Sequence, residues 1–168
     1  IKMANHNLYL DVESVGSGAN AYWVSGTTGY SLWQFVTEAD MFPIAPNAPS
    51  EIVGSTFAIK AYGTDYNLNV NGTDTVADGR NVNIYSKEDC LAQRWVVRNT
   101  SYGPKIFTKI DESFALNIYT ADNNCTMYTA ASNDDDSILA FEEVADMLYR
   151  IKMFNHDKYL CIDGAASS

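Results

Sequence analysis

The sequence predicts an all-β chain, in which three internal four-strand repeats close into a pseudo-threefold barrel and a surplus C-terminal half-repeat follows. Two observations carry that expectation. The opening segment returns along the chain, and between its copies the apolar residues alternate over short runs bounded by turn residues. No segment shows a helical stripe over three turns.

Ile1–Val12 lines up without a gap on Ile151–Ile162, and a third copy is Ile59–Val70. A fainter fourth runs from Phe107 through Phe114-Ala115-Leu116-Asn117-Ile118. The copies begin at 1, 59, 107 and 151, so the units span about 1–50, 57–98 and 105–145 inside a domain of 1–148. In the second unit, Ile59-Lys60-Ala61 is the expected first strand and Leu68-Asn69-Val70 the second. The stretch from Asn71 to Gly79 is a turn, rich in Gly, Asn and Asp. Val82-Asn83-Ile84-Tyr85 and Gln93-Arg94-Trp95-Val96-Val97 complete that unit. The first unit is longer because Pro43, Pro46 and Pro49 fall in Met41–Ser50, a connection that cannot enter a sheet interior. Units this small cannot bury their own faces, which makes a closed barrel the natural solution.

The chain has 168 residues, enough to bury a core without staples, and 21 acidic against 11 basic side chains leave a net charge of −10. That field repels phosphate backbones and anionic lipid heads, so neither a nucleic-acid partner nor membrane insertion is expected. No apolar run approaches the roughly 20 residues of a membrane-spanning helix, and a soluble globular protein is expected. The chain opens on Ile1 without a charged-then-apolar leader, which reads as a mature product, a proteolytic piece or an excised domain. Cys90, Cys125 and Cys161 are odd in number, so one pair with a free thiol and three free thiols both stay open. Three sequons, at Asn71, Asn99 and Asn124, are candidate glycan acceptors and point to a secreted, extracellular glycoprotein.

Gln93-Arg94-Trp95 near the end of the second unit, with Leu10-Asp11-Val12 in the first, resembles the Q-x-W hallmark of the ricin-type β-trefoil lectins. The resemblance covers roughly residues 1–145. Trp33-Gln34-Phe35 and Leu139-Ala140-Phe141 hold the corresponding places in the other units. It implies a β-trefoil and a carbohydrate-binding module, with Trp33, Trp95, Phe35 and Phe141 in the core and Gln93 bracing the backbone. A sugar site needs an aromatic ring against the C–H face of the pyranose and a short carboxylate or amide gripping two hydroxyls. By the resemblance those positions are Asp11 with Trp23 in the first unit, Asn69 with Tyr85 in the second, and Asn117 with Tyr128 in the third. The family's added amide pair is replaced by Leu32-Trp33, Ala92-Gln93 and Ile138-Leu139, so no unit is complete. Read from the residues alone, Asp11 also suits a turn brace and Trp23 a packing aromatic.

Other chemistry finds little material. His6 and His156 are equivalent places of the repeat, and no G-x-S-x-G elbow is present. Glu142 and Glu143 alternate across a strand and so cannot face each other as a glycosidase pair. Asp134-Asp135-Asp136 lacks the EF-hand spacing and reads as a solvated turn. No enzyme, metal or cofactor is expected. The expected function is non-catalytic binding of galactose- or GalNAc-like ends, or another glycan, with several weak sites giving avidity. The rival is an assembly trefoil with lost sugar sites, whose C-terminal half-repeat pairs with a neighbouring subunit as a dimer or filament. Residues 149–168 then read as a truncated second domain, continued in a larger polypeptide, or as that exchange tail.

Overall fold

The computed structural model describes residues 6, 8–12, 14, 17, 19–26, 32, 44–72, 74–130 and 135–162. It is built of strands and short 3-10 turns, and its contacts group the chain into two compact units, Ile1–Pro43 and Ile44–Ser168. In the first, β1 (Tyr9–Val12) pairs antiparallel with β2 (Ala21–Val24), Asp11 opposite Tyr22 and Leu10 opposite Trp23. Trp33 and Phe35 lie outside the described residues.

Among its described residues, the larger body Ile44–Ser168 carries ten strands. They are β3 (Thr56–Phe57), β4 (Tyr66–Val70), β5 (Arg80–Ser86), β6 (Trp95–Thr100), β7 (Gly103–Thr108), β8 (Phe114–Tyr119), β9 (Asn124–Thr129), β10 (Leu139–Ala145), β11 (Leu148–Met153) and β12 (Lys158–Tyr159). Two sheets result, in the orders β3-β6-β7-β8-β9-β5-β4 and β10-β11-β12, with every neighbouring pair antiparallel. The second and third repeats each supply four strands, but the first strand of the second repeat is Thr56–Phe57 and not Ile59–Ala61, where only an isolated bridge from Lys60 to Asn67 forms. The boundary expected at residue 148 is not where the chain divides. Residues 148–153 form β11, which is hydrogen-bonded along β10 with Leu139 opposite Met153 and Phe141 opposite Ile151. The half-repeat thus pairs within its own chain.

Alternation explains the core. Along β4 and β5, Leu68, Val70 and Val82 point inward, and along β8 and β9, Leu116, Ile118 and Met127 do the same. They join Trp95, Val97, Ile106, Leu139 and Met153 in one cluster, against which Phe141, Ile151 and Leu160 pack. Trp95 is fully buried and Phe141 half-buried, its ring set edge-on to Tyr149.

The hallmark acts as a clamp. The fourth strand of the second unit begins at Trp95, two residues later than expected, because Leu91–Gln93 form a 3-10 turn. That turn aims the buried Gln93 amide at the β4–β5 hairpin. Gln93 Oε1 accepts from Asn67 Nδ2 and from the Glu88 N–H, both at 3.0 Å, and Gln93 Nε2 donates to the Ser86 carbonyl at 2.8 Å. Trp95 Nε1 donates to the Leu68 carbonyl at 3.0 Å. In the third unit Leu139 stands in place of Gln93, and Ala115 holds the place of Asn67, so an apolar pair replaces the polar one. Exchanging both partners together avoids an orphaned polar group.

The proline-rich connection forms no strand from Ile44 to Pro49, as expected, but it is not a solvent loop. Ala45 and Ala48 are buried, and the Ala48 N–H donates to Asn99 Oδ1 at 2.9 Å. Gly103 makes this approach feasible. Its φ is +138°, and a Cβ there would lie 2.7 Å from Ala45 Cβ and 2.8 Å from Ile138 Cγ2.

Two stability changes follow, each read by urea unfolding. Gly103→Ala is expected to cost about 2 kcal/mol through overpacking at a strained backbone position. Gln93→Ala is expected to cost about 3 kcal/mol, since it orphans Asn67 and the Glu88 N–H at a buried position.

Candidate functional site

Strand register decides which expected site residues can act together. Residues directly opposite in an antiparallel pair share a face, and a shift of one residue moves a side chain to the other face. Asn69 faces Asn83 and Asn67 faces Tyr85, so all four share one face of the β4–β5 hairpin, with Asn67 and Asn69 buried, Asn83 half-buried and Tyr85 exposed. Asn117 faces Thr126 and Ala115 faces Tyr128, the same arrangement in the third unit. The structure therefore brings Asn69 together with Tyr85, and Asn117 together with Tyr128.

It does not do so for the first unit. Asp11 faces Tyr22, and the position equivalent to Tyr85 is held by Val24, which lies opposite Tyr9. Trp23 lies opposite Leu10, on the other face of the hairpin from Asp11. Asp11 is 1% exposed and Trp23 41% exposed. The aromatic that shares a face with the acid is Tyr22, one residue earlier than the resemblance placed it. Without the register, adjacent aromatics in Tyr22-Trp23 could not be told apart.

The second unit offers the most complete set of groups. Asn69 Nδ2 donates to Asn83 Oδ1 and to the Val70 carbonyl, both at 3.0 Å. Among the described residues, none donates to Asn69 Oδ1 and Asn83 Nδ2 has no acceptor. The pair therefore presents one acceptor and one donor side by side, next to a Tyr85 ring that is 49% exposed. Asn83 was not singled out in the sequence, although its place opposite Asn69 follows once the two strands are paired by their alternation. In the third unit Thr126 takes the place of Asn83. Thr126 is buried and its Oγ1 has no hydrogen-bond partner, while Tyr128 is 40% exposed. About six residues of strand, or roughly 20 Å, separate the levels of Tyr85 and Tyr128 along the paired β5 and β9, so the two positions are distinct.

The remaining polar residues have other duties. His156 Nε2 lies 2.7 Å from Asp136 Oδ1, and Asn155 Nδ2 reaches Asp135 Oδ1 at 3.3 Å. These contacts join the turn before β12 to the 3-10 turn Asp135–Ser137. Glu142 accepts from the Tyr159 hydroxyl at 2.7 Å, whereas Glu143 lies opposite Tyr149, so the two carboxylates alternate as expected. The Tyr149 hydroxyl donates to Glu51 at 2.6 Å, which holds that phenol up at about 12 and lowers the Glu51 carboxyl. Of the sequons, Asn71 is exposed in the turn after β4. Asn124 spends its amide nitrogen on Asn81 Oδ1 at 2.9 Å. Asn99 is exposed, with its carbonyl oxygen taken by Ala48. All three cysteines are free thiols, and burial pushes the Cys125 thiol up to about 12.

No family model and no characterised protein matches this sequence. Among solved structures, the chain is similar to the designed threefold-symmetric protein ThreeFoil, with a TM-score of 0.53 and 22% identity over 61% of this chain and 75% of that one. It is also similar to a mosquitocidal holotoxin, with a TM-score of 0.50 and 16% identity over 58% of this chain and 12% of the toxin's. Together with the repeated four-strand units, these likenesses show that the chain is an all-β trefoil.

Two outcomes test the local chemistry. In native protein at pH 8, the exposed Cys161 is expected to react with a thiol reagent while Cys125 stays unreactive until denaturant is added, as followed by absorbance and peptide mass. Thr126→Val, which removes a buried hydroxyl without a partner, is expected to stabilise the protein by about 1 kcal/mol in urea unfolding.

Proposed function

We propose that this β-trefoil is a non-catalytic carbohydrate-binding module whose principal site is the exposed Tyr85 with the half-buried Asn83 and, at the floor, the buried Asn69 of the second repeat. One observation carries the reading. The Asn69–Asn83 hydrogen bond leaves Asn69 Oδ1 to accept and Asn83 Nδ2 to donate, beside an exposed aromatic ring on the same face. Two neighbouring hydroxyls of a pyranose fit that fork, one donating and one accepting, while the C–H face of the sugar rests on Tyr85. Tyr128, which shares a face with Asn117, offers a second aromatic platform without the asparagine pair, and two separated weak sites give avidity for a multivalent surface. Galactose- or GalNAc-like ends are the ligands that the lectin resemblance implies. An extracellular location agrees with the exposed Asn71 sequon. Attachment to a larger polypeptide agrees with the holotoxin likeness, which covers only 12% of that chain.

The second reading is an assembly trefoil without sugar binding. It is favoured by the first unit, where the only carboxylate among the expected site residues is buried and faces away from Trp23. A glycan array probed with the full chain, presented multivalently, separates the two. The lectin reading expects binding to a defined terminal sugar, reduced about tenfold by Asn83→Ala or Tyr85→Ala, equivalent to about 1.4 kcal/mol each, and little changed by Trp23→Ala. A silent array with correctly folded protein would transfer the function to assembly.

A further inference from the structure

The place beside β10 is a seat with two matching occupants in one sequence. In the structure β11 and the turn to β12 fill it. Met153 lies opposite Leu139 in the core, and Ile151 and Leu160 pack against that core. The Phe154 N–H donates to the Ile138 carbonyl at 2.9 Å. Three side-chain contacts complete the docking: Asn155 on Asp135, His156 on Asp136 and the Tyr159 hydroxyl on Glu142, while Lys152 lies over the Tyr159 ring within the segment.

The opening segment repeats every side chain that makes these contacts. Ile1, Lys2, Met3, Asn5, His6, Tyr9 and Leu10 match Ile151, Lys152, Met153, Asn155, His156, Tyr159 and Leu160 one for one. The differences fall elsewhere: Ala4 for Phe154, Asn7 for Asp157, Leu8 for Lys158, Asp11 for Cys161 and Val12 for Ile162. Of these, Asp157 is bonded to Lys152 within the segment and not to β10. The copy at Ile59–Val70 has Ala61, Gly63 and Thr64 at the Met, Asn and His places, so the Asn-His pair belongs only to the two segments suited to Asp135 and Asp136. Charge agrees as well, since the seat presents Asp135, Asp136 and Glu142 and the opening segment brings Lys2 and His6.

We propose that the seat beside β10 accepts the opening segment, residues 1–12, of a second copy of this chain in exchange for β11–β12. Within one molecule β11 is tied to β10 by the short turn at Asp146–Met147, so the molecule's own tail holds the seat. An identical molecule carries the complementary seat, and reciprocal exchange of such segments closes into a dimer. This inference is independent of sugar binding.

The test uses the full chain in three variants. Ile151→Asp/Met153→Asp unseats the tail, Ile1→Asp/Met3→Asp spoils the opening copy, and the third variant carries all four changes. The tail variant is expected to melt cooperatively near the unaltered temperature and to run as a dimer by light scattering. The opening variant is expected to be an unaltered monomer, and the fourfold variant a monomer melting roughly 10 °C lower. A tail variant as unstable as the fourfold one, or a stable tail variant that stays monomeric at every concentration, overturns the proposal. A second measurement avoids core changes. Ala140 lies opposite Lys152, the counterpart of Lys2. In a Cys161→Ser background, Lys2→Cys/Ala140→Cys is expected to accumulate covalent dimer joined at those positions on oxidation, while Lys152→Cys/Ala140→Cys closes within one chain. Closure of the second pair with no dimer from the first overturns the exchange.

Discussion

Gln93 and Trp95 stand where the last strand of a repeat must be fastened to the hairpin that precedes it. A trefoil unit has no helix to cover its hairpin and too few residues to bury it alone. Something must therefore hold β4 and β5 against the chain entering β6. Gln93 satisfies a side-chain amide, a backbone N–H and a backbone carbonyl at once, and Trp95 adds the Leu68 carbonyl while filling the centre of the core. Each hydrogen bond contributes only about 1 kcal/mol net, but leaving these buried groups unpaired would cost more than that. The third unit shows the alternative solution, in which apolar residues, Ala115 and Leu139, stand at both equivalent places.

Fixing the hairpin also fixes the outer face. Once Leu68, Val70 and Val82 take one face, Asn67, Asn69, Asn83 and Tyr85 share the other, where the two asparagines of β4 are buried and Tyr85 is exposed; Asn117, Thr126 and Tyr128 repeat the arrangement, the first two buried and the tyrosine exposed. Asn67 is consumed by the clamp, while Asn69 and Asn83 bond to each other. In the first unit the same logic puts Asp11 out of reach of Trp23, because adjacent residues on a strand face opposite ways.

The C-terminal half-repeat extends the same economy of parts. Its Ile151, Met153 and Leu160 enter the core of the unit that contains β10, and its Asn-His turn meets two aspartates ahead of that strand. A sheet whose edge can be completed by either of two near-identical segments has an internal means of joining copies, provided that the resident strand can leave.

Much of this was legible in the sequence. The repeats, the alternation and the recurring turn residues specify short antiparallel strands and the second and third four-strand units, because periodicity is a local property of neighbouring residues. The roles of Trp95 and Gln93 and the placing of Asn69 with Tyr85 followed from the resemblance to the ricin-type lectins and not from periodicity. Register was not legible, since it depends on which residues of a distant strand lie opposite. Sequence spacing therefore does not separate Tyr22 from Trp23 as the partner of Asp11, nor does it place Asn83 opposite Asn69. The seating of β11 beside β10 was equally undetermined, because two segments with the same docking side chains compete for one place and local pattern cannot choose between them. Tertiary structure chose the tail, which a short turn holds next to the strand it pairs with.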